Sequence, residues 1–130
     1  MLRRTTLRAA AVTVSLIAAC GAISAFSAPA APAKGNPKLG EAMFKAKACA
    51  TCHKADGTGG VKLTGNPTPN WRDPKTWADP KRKDADTYLR ECITNGRPKS
   101  GMVAWGKTGQ IKPPDIENLI AYIHVLSGHK

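Results

Sequence analysis

The pattern of apolar and polar positions divides the chain into an apolar leader, three helical stripes and two long polar loops. After Arg3, Arg4 and Arg8, the stretch from Ala9 to Ala19 is apolar, and Ala22 to Ala33 is mostly small residues and prolines. Leu39, Met43 and Ala46 fall on one stripe and predict a helix over 38–48, after Pro37. Tyr88, Leu89, Cys92 and Ile93 predict a second over 85–94, with Asp84 as N-cap and Asn95-Gly96 as the stop. The third is the clearest: Ile116, Leu119, Ile120, Ile123 and Leu126 recur at helical steps, opened by Pro114 and Asp115 and ended by Gly128. Residues 56–83 are dense in Gly, Pro and Asn, and 96–113 form another glycine-rich loop. No segment alternates with a two-residue period long enough for a sheet. The expected class is all-α, with about three main helices and long loops. A loop as long as 56–83 with no regular structure is expected to wrap around something.

The leader has the order of a secretory signal: basic start, apolar middle, small residues. Its apolar part is too short for a membrane span. Two endings fit. Ala25-Phe26-Ser27 and Ala28-Pro29-Ala30 both suit cleavage near residues 27–30, whereas Ile17-Ala18-Ala19-Cys20-Gly21 suits a lipoprotein signal ending before Cys20, which would then be lipidated. The expected organisation is a signal over 1–28 (or one ending before Cys20), an Ala/Pro-rich linker over 29–36 and one domain over 37–130. The expected location is outside the cytoplasm, with lipid anchoring at Cys20 as the alternative.

Charge narrows the partners. The chain has 20 basic and nine acidic residues, a formal net charge of +11. The leader takes only three of the basic residues and none of the acidic ones, so the remaining domain stays strongly basic. Such a surface attracts acidic protein partners. Nucleic acid is not expected, because the basic residues are scattered through loops of an exported chain. The core must be modest: there are only two Phe, three Trp and two Tyr beside 12 Gly and 10 Pro. Domains this small often need disulfides, a metal or a cofactor to hold together. Cys20, Cys49, Cys52 and Cys92 are not spaced as a disulfide framework.

Cys49-Ala50-Thr51-Cys52-His53 supplies a different answer. Two thiols three positions apart on one turn can each add to a porphyrin vinyl group, and the adjacent histidine can then meet the iron. A redox dithiol needs no such histidine and has no βαβ context here. A zinc site from Cys49, Cys52, His53 and Cys92 would strain neighbouring Cys52 and His53 into one tetrahedron. The expected cofactor is one haem c, attached through Cys49 and Cys52. His53 fills one axial position. For the other the candidates are Met43, Met102, His124 and His129. Met43 suits the core, and both histidines suit solvent. Met102 lies in a glycine-flanked loop able to approach a flat ring, and elimination selects it. A His/Met pair closes both axial sites, raises the potential and favours outer-sphere electron transfer.

In this order the motifs resemble class I c-type cytochromes over residues 37–127. Gly40 and Phe44 match the family's first helix, and Tyr122 matches the aromatic that interlocks with them from the last. The segment Asn66-Pro67-Thr68-Pro69-Asn70-Trp71-Arg72-Asp73-Pro74 is similar to the Pro-rich stretch of small bacterial periplasmic members. By that resemblance Pro67, chosen over Pro69, offers its carbonyl to the His53 ring proton. Ile93-Thr94-Asn95-Gly96 and the Met102 loop follow in the family's order, although Val103 stands where many members have proline. Trp71 and Trp105 are expected against the porphyrin, Trp77 in ordinary loop core and Cys92 as a small buried hydrophobe.

The resemblance implies a periplasmic electron carrier without enzymatic activity, either a shuttle or the cytochrome subunit of a dehydrogenase or oxidase chain, as a monomer or within a redox complex. Lys54, Lys62, Lys99 and Lys107 are expected to ring an exposed haem edge and dock on an acidic face. The competing functions are a haem enzyme or gas-binding protein with a displaceable sixth ligand and, more remotely, a zinc-binding module.

Overall fold

The computed structural model describes residues 34–129. The leader, its cleavage sites and Cys20 lie outside the described residues, as do most of the linker and Lys130. Among the described residues there is no strand, and no helix is long and apolar enough to cross a membrane.

Three helices carry the fold: α1 (Pro37–Ala46), α4 (Ala85–Asn95) and α5 (Pro113–Ser127). Two four-residue helices, α2 (Ala50–His53) and α3 (Pro74–Trp77), lie between α1 and α4. Asn36 starts α1, its side chain accepting from the Lys38 amide at 3.0 Å, and Pro37 occupies the first turn, where its missing N–H costs nothing. The helix ends at Ala46, two residues before the expected stop. Ala48 enters the left-handed region (φ 54°), and the Cys49 amide returns to the Phe44 carbonyl at 3.0 Å. That turn redirects the chain into α2.

The expected α1 stripe of Leu39, Met43 and Ala46 is not the buried one. Leu39 is 57% exposed and Ala46 is exposed, while Gly40 and Phe44 face α5. A Cβ on Gly40 would lie 1.9 Å from the Asn118 carbonyl oxygen, so the helices touch backbone to backbone at that glycine. Phe44 then meets the Tyr122 ring edge-on at 5.4 Å. This is the Gly40, Phe44 and Tyr122 interlock that the family resemblance implied.

Helix α4 begins on Asp84, whose carboxylate accepts from the Thr87 amide at 3.0 Å, and buries Leu89, Cys92 and Ile93. Helix α5 starts at Pro113, one residue before expected, and buries Ile116, Leu119, Ile120 and Ile123. The loop over 56–83 is more ordered than expected. Asp73-Pro74 and Asp79-Pro80 each start a helical turn, α3 and a 3-10 turn over Pro80–Arg82, each aspartate accepting an amide two residues on at 2.9 Å.

His124 in the last helix and His129 just beyond it are not simply solvated. The His124 ring bonds Asp86 at the start of α4 and the His129 carbonyl, and the His129 ring stacks on Trp77 at 4.8 Å. Together they clasp the end of α5 to α4 and α3. Gly35 and Asn36, at the end of the segment read as linker, already touch α5, where the Asn36 amide donates to Asn118 at 2.8 Å.

Candidate cofactor site

The three main helices do not close over a solid core. They surround a cavity of about 330 Å³ into which Phe44, Leu89, Ile93, Ile111, Leu119 and Ile123 all project. The cavity opens to the surface past Leu63 and Val103, and its mostly apolar lining suits the apolar body of a ligand.

Helix α2 places the chemistry on one wall. The His53 and Cys52 amides both return to the Cys49 carbonyl, at 3.0 and 3.2 Å, so all three side chains issue from one turn into the cavity. Both cysteines are free. Burial pushes the Cys49 thiol up to about 11 and the His53 ring down to about 4, so at neutral pH both are uncharged. A neutral imidazole keeps a lone pair for a metal.

Thr68 anchors the opposite loop. Its hydroxyl donates to the Cys52 carbonyl at 2.7 Å, and its amide and carbonyl pair with Val61 and Gly60 at 2.9 Å. The Gly59 amide donates to the His53 carbonyl at 3.1 Å, so the open end of α2 is satisfied by this loop. Thr68 was missed by the sequence reading. Its signal was a lone threonine between two prolines, too common a pattern to select.

Pro67, Trp71, Met102 and Trp105 all line the cavity. Trp71 is buried and stacks on the His53 ring at 4.4 Å with 12° between planes. Trp77 is not on the wall; its indole N–H donates to the Trp71 carbonyl at 2.7 Å and so holds Trp71 from behind. The hydrogen bond expected between His53 and the Pro67 carbonyl is not formed here: His53 Nδ1 is buried without a partner. That orphaned nitrogen suits a histidine whose ring settles only once a ligand engages it.

Met102 is presented by an antiparallel bridge. The Arg97 amide donates to the Met102 carbonyl at 3.0 Å, and the Met102 amide to the Arg97 carbonyl at 3.1 Å, across the turn Pro98–Ser100. Gly96 makes this possible: with φ 68°, a Cβ there would sit 2.7 Å from the Met102 carbonyl oxygen. Of the four residues weighed as second ligand, Met102 alone lines the cavity. Met43 packs against the core, and His124 and His129 belong to the C-terminal clasp.

Two features had not been singled out. Cys92 is buried as expected but also lines the cavity, and Arg82 and Arg97 stand on the same wall. The four lysines expected around the opening (Lys54, Lys62, Lys99 and Lys107) are exposed, and none lines the cavity. Among the described residues, no three His, Cys, Asp or Glu side chains converge as a metal site, so the zinc arrangement with Cys92 is not assembled.

These residues fit a haem. The walls are mostly apolar, two thiols and an imidazole leave one turn, a thioether lines the same cavity, and two guanidinium groups stand on its wall. Residues 35–123 match the family model described as "Cytochrome C oxidase, cbb3-type, subunit III". No curated protein and no solved structure matches the chain significantly. The match and the cavity lead to the same conclusion: the chain belongs to that family and is a class I c-type cytochrome, which binds haem c covalently and serves haem-based electron transfer.

Proposed function

We propose that the chain carries one electron at a time in the periplasm, on a single haem attached to Cys49 and Cys52 with His53 and Met102 as axial ligands. It acts as a shuttle or as the cytochrome subunit of a dehydrogenase or oxidase chain, and it has no catalytic activity of its own. The observation that carries this reading is that Cys49, Cys52, His53 and Met102 meet in one cavity, which the other candidate ligands do not reach.

The haem supplies a one-electron iron centre. The chain supplies the rest. His53 is neutral by burial and offers its lone pair, while Trp71, stacked on the ring, limits its rotation. Thr68 and Gly59 fix the carbonyls at the end of α2, so the thiols and imidazole keep one geometry. Leu89, Ile93, Leu119 and Ile123 exclude water. Met102 would hold the haem through a soft thioether, which would favour the reduced state and leave outer-sphere electron transfer as the chemistry the group supplies.

Transfer then happens at the opening. Leu63 and Val103, 58% and 44% exposed, stand on the cavity rim. Lys62 precedes Leu63, and the Lys99 carbonyl accepts from Thr64 at 3.1 Å, bringing these basic loops beside that apolar rim. An apolar centre with a cationic surround suits an acidic redox partner. With such a partner, the bimolecular reduction rate is expected to fall roughly tenfold from low to high salt. A rate independent of ionic strength contradicts the docking face. The leader is part of the same proposal, with residues 1–28 as export signal, or with Cys20 as a lipidated first residue of the mature chain. Intact mass of the membrane fraction separates the two.

A further inference from the structure

The C-terminal clasp holds a donor and acceptor arrangement that a neutral histidine cannot complete. The Gly128 amide donates to the His124 carbonyl at 3.0 Å, and Ser127 Oγ donates to the same carbonyl at 3.2 Å while accepting from the His129 amide at 3.1 Å. That turn brings the His129 carbonyl within 2.8 Å of His124 Nδ1, and Nε2 of the same ring meets an Asp86 carboxylate oxygen at 2.5 Å. A carbonyl and a carboxylate only accept. A neutral imidazole has one N–H and satisfies one of them, leaving the lone pair of its other nitrogen against an oxygen. The imidazolium donates to both. Its position suits a cation as well, since His124 lies in the last turn of α5, at the negative end of the helix dipole.

What the clasp holds reaches the cofactor site. The His129 ring lies on Trp77 at 4.8 Å with 7° between planes, the Trp77 indole N–H donates to the Trp71 carbonyl at 2.7 Å, and Trp71 stacks on His53. Two indoles thus connect the tail to the imidazole of α2. We propose that the C-terminal tail is a proton-locked brace for this site: the doubly protonated His124 ring closes the clasp, and His129, through Trp77 and Trp71, positions the His53 ring. Loss of one ring proton opens the clasp and frees the tail. The lock stands on the clasp alone, whereas the brace rests on the reading of His53 as an axial ligand.

The charged and titratable groups facing His124 are Asp86 from α4, with Arg90 one turn further along acting on that carboxylate, and His129 from the tail. Trp77 of α3 brings no charge, and Asp84 is engaged by the Thr87 amide and hydroxyl. Among the described residues α1 brings no charged group within ion-pair distance of the ring. The ring proton is lost as pH rises, so the clasp stabilises on the acid side of neutrality, where Asp86 is still ionised, and fades above it. The test uses the holo-protein as wild type, Asp86→Asn, His124→Gln, His129→Ala and Trp77→Leu. At about pH 6 nitrogen NMR is expected to show protons on both ring nitrogens of His124. Wild type is then expected to melt about 4 °C above Asp86→Asn and His124→Gln, and at about pH 8.5 those gaps are expected to close to about 1 °C. His129→Ala keeps the carbonyl and so the signature of the charged ring. Like Trp77→Leu, it is expected to shift the haem-methyl proton signals of the oxidised protein, which report the orientation of the axial imidazole. One ring proton on His124 at about pH 6, or melting gaps that are equal at both pH values, overturns the lock. Haem-methyl signals in His129→Ala and Trp77→Leu that superpose on wild type overturn the brace. A high-spin oxidised protein overturns the His53 assignment and the brace with it; it is told apart from failure of the clasp, in which the protein is low-spin and the melting gaps stay open.

Discussion

In Met102→Ala the methionine–iron band disappears, the potential drops and the reduced protein binds carbon monoxide rapidly, while the haem stays attached. The physical basis is local. Met102 is half-buried and lines the cavity, and its backbone is fixed by paired hydrogen bonds to Arg97, so truncation removes the thioether without releasing the loop. The neighbouring Val103 offers no donor atom, and the other candidate ligands lie outside the cavity. Loss of a soft ligand favours the oxidised iron, and a fall on the order of 0.2 V is expected, a part of the roughly 0.8 V that axial ligation spans. The attachment cysteines on α2 are untouched. Visible spectroscopy and redox titration check this. A band that survives in Met102→Ala and vanishes in Met43→Ala contradicts the assignment. Slow carbon monoxide binding to the variant would mean that another protein group had taken the position.

The second large effect is structural. Gly40→Ala is expected to destabilise the holo-protein by roughly 3 kcal/mol or more, lowering the melting temperature by about 10 °C or more. The new methyl would lie 1.9 Å from the Asn118 carbonyl oxygen, 2.6 Å from its carbon and 2.8 Å from Tyr122 Cβ. Two of those atoms are backbone within a helix, so only separation of α1 from α5 relieves the overlap. Separation in turn loosens Phe44 from Tyr122 and moves the turn that feeds α2. Alanine gains about 1 kcal/mol of helix propensity over glycine, which is the smaller term. Thermal unfolding beside wild type tests it, and a melting temperature within about 2 °C of wild type, the spread of a neutral surface change, contradicts it.

The parts legible in the sequence were those carried by local signals. The α4 stripe and its Asp84 cap, the apolar face of α5 and the Cys49, Cys52 and His53 turn are each contained within a few residues, and they stand where expected. What hydrophobicity alone mistook was α1, because a helix packed backbone to backbone buries a glycine that no apolar scale marks. The Gly40 and Phe44 pair was legible only through its match to a family. The helical turns after Asp73 and Asp79 had a readable cue in their Asp-Pro pairs, but short turns carry no apolar period. The guanidinium wall had no cue at all. Arg82 and Arg97 are 15 positions apart in a chain with 20 basic residues, and only the fold brings both onto Tyr88. The C-terminal histidines were misjudged for the same reason, since Asp86 and Trp77 are distant in sequence.

The most direct test of the account is the reduced-minus-oxidised visible spectrum of the full chain, expressed in a bacterium equipped for haem attachment, with a haem stain on a denaturing gel. The account predicts a red, low-spin c-type protein with a methionine–iron band when oxidised and haem that remains on the chain in the gel. A colourless protein, or haem that leaves the chain on denaturation, would contradict it.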